Sequence, residues 1–142
     1  MNTSPLELVY AFFCETVRLE ASGQISPIGI WGDTVKFAVN APALMPCLAF
    51  HAFVRNLGLN PLKFRLKVTF PGKAKPVEVE MPLQGNEVQT CQNVNFNIAG
   101  LQITEPGDVV AHVRIDSTPP IDREFRLQMV FPPQSAITTL VQ

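Results

Sequence analysis

Charged residues are scarce in this sequence. Asp, Glu, Lys and Arg together make up 16% of the 142 residues, whereas hydrophobic residues make up 46%. Soluble domains carry about 25% charged residues, so part of the surface must be covered by uncharged polar side chains or by a partner. The formal net charge is −1, and the chain has no basic block and no acidic tail. These absences argue against a nucleic-acid binder, which needs clustered Lys and Arg.

Long hydrophobic runs are also missing. No stretch approaches the roughly 18 apolar residues that a membrane span requires. The start, MNTSPLELVY, lacks the basic segment and long apolar core of a signal peptide. We therefore expect a cytoplasmic protein with no membrane partner. A chain of this length suits one domain, because it can bury roughly two thirds of the surface of its unfolded form.

Cysteines are few and scattered, and metal-binding spacings do not occur. Cys14, Cys47 and Cys91 show no CxxC or CxxH spacing, so we expect small buried hydrophobic side chains in a reducing compartment. The two histidines, His51 and His112, lie on different segments at positions that alternation turns outward. Nothing in the spacing supplies a third ligand. We expect no metal and no cofactor.

Catalytic motifs are missing too. The sequence contains no GxSxG element for a nucleophilic serine and no glycine-rich loop for a phosphate. Carboxylate pairs such as Glu78 and Glu80 alternate with apolar residues, which is typical of solvated strand positions rather than of a glycosidase site. We therefore expect a protein that is not an enzyme.

What the sequence does contain is alternation of apolar and polar residues. LKFRLKVTF (62–70) and PVEVEMP (76–82) are separated by a Pro-Gly turn, which predicts an antiparallel hairpin whose outer positions oppose Lys and Arg with Glu. QNVNFNIAG (92–100) points Asn93, Asn95 and Asn97 outward. The same period continues in two further segments, DVVAHVRID (108–116) and REFRLQMVF (123–131).

Many short strands between closely spaced turns are typical of a sandwich. We predict an all-β fold, a single-domain antiparallel Greek-key β-sandwich of about eight strands over residues 1–142. The end of the chain, 134–142, contains the apolar and β-branched stretch SAITTLVQ. It is predicted to be an extra edge strand, a strand donated to a neighbour, or a flexible tail.

The stretch EASGQISPIGIWGD (20–33) holds the single tryptophan. Residues 21–24 fit a hairpin loop and residues 25–31 the returning strand. Pro27 lacks a backbone N–H, which favours an edge strand or a bulge. Gly29 favours a bulge or a close backbone approach.

The orientation of the tryptophan is left open by this pattern. At period two, Trp31 points away from the side occupied by Ile28 and Ile30. If the isoleucines fill the core, the tryptophan faces outward toward a partner. If the tryptophan fills the core, the isoleucines face outward.

Two segments are apolar on both parities over part of their length. LELVYAFFCETVRLE (6–20) is so between Val9 and Cys14, after which alternation resumes, and PCLAFHAFVRN (46–56) is mostly apolar on both parities. Such segments are either the central strands of the sandwich or strands covered by a partner. The candidate interface residues are Trp31, Phe53, His51, Tyr10 and Phe12.

Over most of its length, in strand order, the chain resembles a family of small bacterial all-β proteins of unknown function. The resemblance rests on a strand with the pair Cys14-Glu15, a turn at Gly23-Gln24, and a strand ending Ile28-Gly29-Ile30-Trp31; the family more often has Asp and Lys where Glu15 and Gln24 stand. LQITEPGDVVAHVRID (101–116) is similar to that family's Pro-Gly turn and outgoing strand, and to immunoglobulin-like or C2-like sandwiches. The resemblance implies a compact β-sandwich and transfers no catalytic residue.

These observations favour a non-enzymatic protein-interaction or assembly module, self-associating as a homodimer or larger oligomer, for which a phage-related structural subunit is one example. The alternative is a carrier of a small apolar ligand, with a cavity between the sheets. Its lining would come from phenylalanines on several strands, namely Phe12, Phe13, Phe50, Phe53, Phe64, Phe96 and Phe125.

Overall fold

The computed structural model describes residues 5–72 and 75–133 of the chain, so the predicted tail at 134–142 lies outside the described residues. Within the described part the chain forms nine strands and no helix. The strands are β1 (Glu7–Leu19), β2 (Ile25–Ile30), β3 (Thr34–Lys36), β4 (Ala43–Arg55), β5 (Leu62–Thr69), β6 (Val77–Leu83), β7 (Gln92–Ile103), β8 (Gly107–Ile115) and β9 (Ile121–Val130).

Two sheets pack face to face. The four-stranded sheet has the order β2-β1-β4-β7, and the five-stranded sheet has the order β3-β9-β8-β5-β6. Their inner faces share one hydrophobic cluster, which confirms the all-β sandwich that the alternation predicts. The two segments that are apolar on both parities, β1 and β4, are the central strands of the four-stranded sheet.

One strand more than the expected eight is present, and one strand pair is parallel. The additional strand is β3, whose three residues are too few for alternation to reveal it. It pairs in parallel with β9, whereas every other strand pair in the described residues is antiparallel. The chain leaves the edge of one sheet after β2 and joins the edge of the other sheet as β3.

The core follows the predicted inward positions. On β5 the buried side chains are Phe64, Leu66 and Val68, and each is at most 2% exposed. Burying one such side chain stabilises the fold by about 1.5–3 kcal/mol. The opposite sheet contributes a matching row from β4, consisting of Leu48, Phe50, Ala52 and Val54.

The first hairpin confirms the roles expected of Gly23 and Pro27. Gly23, in the turn, has φ 89°, and β2 is an edge strand, where Pro27 leaves no ladder bond unmade. Gly29 has φ 66°, and a Cβ there would lie 2.8 Å from side-chain carbons of Glu15. A side chain, that of Glu15 on β1, therefore lies against Gly29 in place of the backbone segment that the sequence led us to expect.

The tryptophan turns inward and the isoleucines turn outward. The backbone N–H of Trp31 donates to the carbonyl of Phe13 at 2.9 Å, so Trp31 lies beside a core residue and packs against the core. Ile28 and Ile30 are 36% and 59% exposed on the opposite side of the sheet. Of the two arrangements left open by the alternation, the structure has the one with tryptophan on the core side.

Candidate interaction surface

The outer side of the four-stranded sheet carries an uncharged surface that we call the apolar face. The strand register places Tyr10 opposite Phe53, Phe12 opposite His51, and Cys14 opposite both Ala49 and Ile30. These rows extend across three neighbouring strands, β2, β1 and β4. The apolar face consists of Tyr10, Phe12, Cys14, Ile28, Ile30, Ala49, His51 and Phe53.

A β-bulge decides which side chains of β1 reach this face. Leu8 is a core residue paired with Val54, and the register then shifts so that Tyr10 pairs with Phe53. In a regular strand, two residues separated by one position point to the same side. The extra residue at Val9 therefore turns Tyr10 outward although Leu8 points inward.

The aromatic rings of the apolar face pack against one another. The Tyr10 ring stacks on Phe12 at a centroid distance of 5.7 Å and on Phe53 at 5.4 Å. The His51 ring lies 5.6 Å from Tyr10 and 5.2 Å from Phe12. The structure thus brings four of the five candidate interface residues into one cluster, and Tyr10, at 43% exposed, is accessible.

His51 corrects an expectation. Alternation turned it outward, and it does lie on the outer side of the sheet, but it is only 1% exposed. The neighbouring rings of Tyr10 and Phe12 cover it, and its Nδ1 lies 2.5 Å from Oδ1 of Asn95 on β7. Since an amide oxygen only accepts hydrogen bonds, Nδ1 carries the proton in this arrangement.

The borders of the apolar face are polar. At one end Glu7 and Arg55 form a salt bridge of 2.6 Å. Along one side, Asn93 and Asn97 are exposed on β7 as the alternation predicts, opposite Phe53 and Ala49. An apolar centre with a polar rim is the usual anatomy of a protein interface.

The outer side of the five-stranded sheet, which we call the charged face, is different. The predicted pairing of β5 with β6 is present, with Arg65 opposite Glu80 at 3.3 Å and Lys67 opposite Glu78 at 3.8 Å. Further along this face Arg126 bonds both Asp108 and Glu124. His112 also lies on this outer side as expected; it is half-buried and forms a hydrogen bond with Asp122. These side chains are solvated, which is the ordinary state of an outer sheet face.

Trp31 is not part of the apolar face. It lies where the two sheets meet near β3, and it lines a surface groove of about 460 Å³. Its side chain is half-buried, while the indole Nε1 is buried and meets no hydrogen-bond acceptor among the described residues. A buried N–H without a partner costs about 1–3 kcal/mol.

Sequence reasoning did not name Cys14, Ala49, Ile28 and Ile30 for this surface. Cys14 and Ala49 are fully buried between larger neighbours. Burial raises the pKa of the Cys14 thiol above its usual value, and the nearby Cys47 raises it further, so Cys14 remains a neutral thiol. The signal that would have found these residues is the register of β1 against β2 and β4, which follows from the turn at Gly23 and the bulge at Val9.

The geometry of the described residues also bears on two other kinds of site, a metal site and a cavity for an apolar ligand. No group of three metal-ligating side chains occurs within residues 5–72 and 75–133. The phenylalanines considered for a ligand cavity are divided between two places. Phe13 and Phe50 pack edge to face in the core at 5.2 Å, whereas Phe12 and Phe53 lie on the apolar face.

The fold and its two contrasting faces define this chain as a small all-β sandwich domain. A family model matches residues 9–128, and the chain belongs to that family, a family of unknown function designated DUF6941. This membership confirms the resemblance to an all-β family without an assigned activity. A search of the curated proteins found no match.

Among solved structures, the chain is similar to the β-glucosidase EmGH1 from Erythrobacter marinus, with 18% identity and a TM-score of 0.39. The match covers 65% of this chain and 14% of the β-glucosidase chain, so this chain corresponds to a small part of that protein. A similarity this low says nothing about activity here. In the part of the chain that the structure describes, no helix is long and apolar enough to cross a membrane.

Proposed function

We propose that this protein is a non-enzymatic interaction module that self-associates by packing the apolar face of one copy against the apolar face of another. One observation carries the proposal, namely the contrast between the two outer sheet faces. The charged face carries ion pairs along its length. On the outer side of the four-stranded sheet the centre is a stacked aromatic cluster without charge, and the charged side chains Glu7, Arg55 and Arg18 lie toward its ends. An outer face that remained in water would be expected to resemble the former.

A second copy is the occupant that the charges favour. The apolar face carries no charge, so two copies meet without like-charge repulsion and without needing a partner of opposite sign. At its end, Glu7 and Arg55 supply both signs on one copy, which suits a two-fold contact where each residue meets the partner's equivalent surface. Packing sheet against sheet would repeat the geometry that already builds the sandwich.

The size of the apolar face sets the expected strength of self-association. With strands about 4.8 Å apart and a rise of about 3.4 Å per residue, the face covers roughly 300–400 Å². That is a typical size for a functional patch and lies below the roughly 800 Å² per partner of a standard interface. We therefore expect a reversible dimer whose population depends on protein concentration, or the repeated contact of an assembly-type structural subunit.

The setting we propose is the cytoplasm. All three cysteines, Cys14, Cys47 and Cys91, are free thiols. Free thiols persist in reducing compartments, whereas secreted domains of this size commonly pair them.

The test is sedimentation velocity over a wide range of protein concentration. The wild-type chain is expected to form a dimer as the concentration rises, and Tyr10→Arg and Ile30→Arg are each expected to weaken it at least tenfold, because a buried arginine without a partner is costly. The control is Gln128→Arg, which adds the same charge to the exposed outer side of β9. A wild-type chain that stays monomeric throughout, or equal weakening by all three variants, would refute the proposal.

A further inference from the structure

The four-stranded sheet is split at one end. β1 and β4 pair from Glu7 and Arg55 as far as Cys14 and Ala49. Beyond that point β1 continues against β2 alone, and the first residues of β4 continue against β7 alone. The split therefore leaves two strand edges facing each other without a ladder between them.

Pro46 fits this description of β4. It lies where β4 pairs with β7 but no longer with β1, and it lines the groove. A proline has no N–H to donate, so it occurs in sheets at positions that have no neighbouring strand on that side.

The split forms the groove that Trp31 lines, and we call it the β1–β4 groove. It measures about 460 Å³ and its lining is mainly apolar, including Val35, Phe37, Leu44 and Met45. Leu44 is 64% exposed, which is unusual for a leucine within a strand. The two charged residues of the lining, Glu15 and Lys36, have opposite signs, so the groove favours an uncharged occupant.

The end of β9 brings the following chain to this groove. β3 and β9 run in parallel, and the backbone N–H of Phe37 donates to the carbonyl of Val130 at 2.9 Å. The ring of Phe131 then stacks on the ring of Phe37 at a centroid distance of 4.8 Å. Because Phe37 lines the β1–β4 groove, the chain that follows Phe131 starts beside it.

The sequence that follows suits such a groove. Residues 134–142 read QSAITTLVQ, with no charge, no proline and no glycine. At about 3.3 Å per residue, this segment spans roughly 30 Å when extended. Ile137 and Val141 share one parity, so both would meet the same wall.

We propose that the β1–β4 groove binds residues 134–142 of the same chain as an extended segment, in the manner of a strand added to open sheet edges. The segment would cover Leu44 and Trp31 with its apolar side chains. Its backbone carbonyls are acceptors of the kind that the Trp31 indole N–H lacks among the described residues. This contact is distinct from the apolar face and does not depend on the proposed self-association.

Trp31 is the only tryptophan of the chain, so its fluorescence reports on the β1–β4 groove in the full-length protein. The neutral quencher acrylamide should reach Trp31 poorly in the wild type. The double variant Ile137→Asp/Val141→Asp and the groove variant Leu44→Asp should each raise the quenching constant at least twofold. Val88→Asp, at a loop residue that is 96% exposed, is the control and should leave it unchanged.

Two further measurements separate docking from misfolding and from exchange between copies. A QSAITTLVQ peptide added to the double variant should restore wild-type quenching, which a misfolded chain would not permit. Quenching should also be the same at all protein concentrations. The proposal is overturned if the charged variants quench like the wild type, if the peptide restores nothing, or if protection of Trp31 appears only at high concentration, since the segment would then come from a neighbour.

Discussion

His51 and Asn95 lie opposite each other on β4 and β7, with Nδ1 of the imidazole 2.5 Å from the amide oxygen. The histidine is 1% exposed although it belongs to an outer sheet face. The contact therefore satisfies a buried polar group in the middle of an aromatic cluster, while Asn95 itself remains exposed. An outward-facing position such as that of His51 would be in water on most sheets, but here its side chain is packed within the aromatic cluster of the apolar face.

The first prediction concerns this contact. Asn95→Ala should lower the free energy of unfolding by about 1–3 kcal/mol, because it leaves the buried Nδ1–H without an acceptor. Asn93→Ala, on the same strand and the same side, should change it by less than about 0.5 kcal/mol, since an exposed residue without such a contact is replaced. Urea denaturation followed by circular dichroism measures both. Equal losses would mean that the histidine contact contributes nothing specific.

The second prediction concerns the reactivity of Cys14. Burial, and then the neighbouring Cys47, raises the pKa of the Cys14 thiol, and the thiolate is the form that alkylating reagents attack. At mildly alkaline pH, iodoacetamide should modify the half-buried Cys47 and Cys91 in the folded protein and leave Cys14 intact until denaturant is added. Peptide mass spectrometry assigns the labels. Modification of Cys14 as fast as Cys47 in the native protein would contradict the burial.

The same shift has a consequence for stability. A thiol whose pKa is higher in the folded state holds its proton more tightly there than in the unfolded chain. The contribution of Cys14 is therefore constant at neutral pH and declines as the pH rises above the unfolded value. Cys14→Ala should remove this part of the alkaline loss of stability, as urea titrations at increasing pH would reveal.

The third prediction concerns a loop contact. Gly85 is buried, and its N–H donates to the carbonyl of Gly58 at 2.9 Å. A Cβ at Gly85 would lie 2.6 Å from the backbone oxygen of Leu57, so Gly85→Ala must displace backbone. We expect a loss of about 1–3 kcal/mol, as for other overpacked sites.

The matched control for Gly85→Ala is Gly58→Ala, at the residue whose carbonyl accepts the Gly85 hydrogen bond. A Cβ at Gly58 would meet no atom within 4 Å, so Gly58→Ala should leave the free energy of unfolding within about 0.5 kcal/mol of the wild type. Thermal and urea denaturation of the two variants give the comparison. A Gly85→Ala chain as stable as the Gly58→Ala chain would show that the loop adapts freely.

Much of the sheet structure could be predicted from local pattern. The β5–β6 hairpin and its Lys and Arg opposite Glu follow from period-two alternation and a Pro-Gly turn, and they are present as expected. Alternation is reliable there because one face of the sheet is buried and the other is in water. The polarity of each residue therefore indicates the face on which its side chain lies. The alternation did not predict β3, because a strand of three residues is too short to show a period of two.

The candidate surface could be predicted only in part. Tyr10, Phe12, His51 and Phe53 were found because their segments are apolar on both parities, and the structure brings them together. Alternation alone does not explain why Tyr10 joins them, because it depends on the register shift between Leu8 and Tyr10. A bulge is a property of strand pairing, and a single segment does not specify its partner.

By itself, the sequence determined the fold class, the inward and outward positions of the alternating strands, and the absence of charge from one set of strand positions, since these depend on residue type and period. Only the tertiary structure decided that Trp31 turns toward the core while Ile28 and Ile30 turn outward. It also decided that His51 is buried and that β1 and β4 separate beyond Cys14 and Ala49. The physical reason is that these features arise from register, bulges and contacts between residues distant in the chain, where packing chooses between alternatives that local periodicity leaves equivalent.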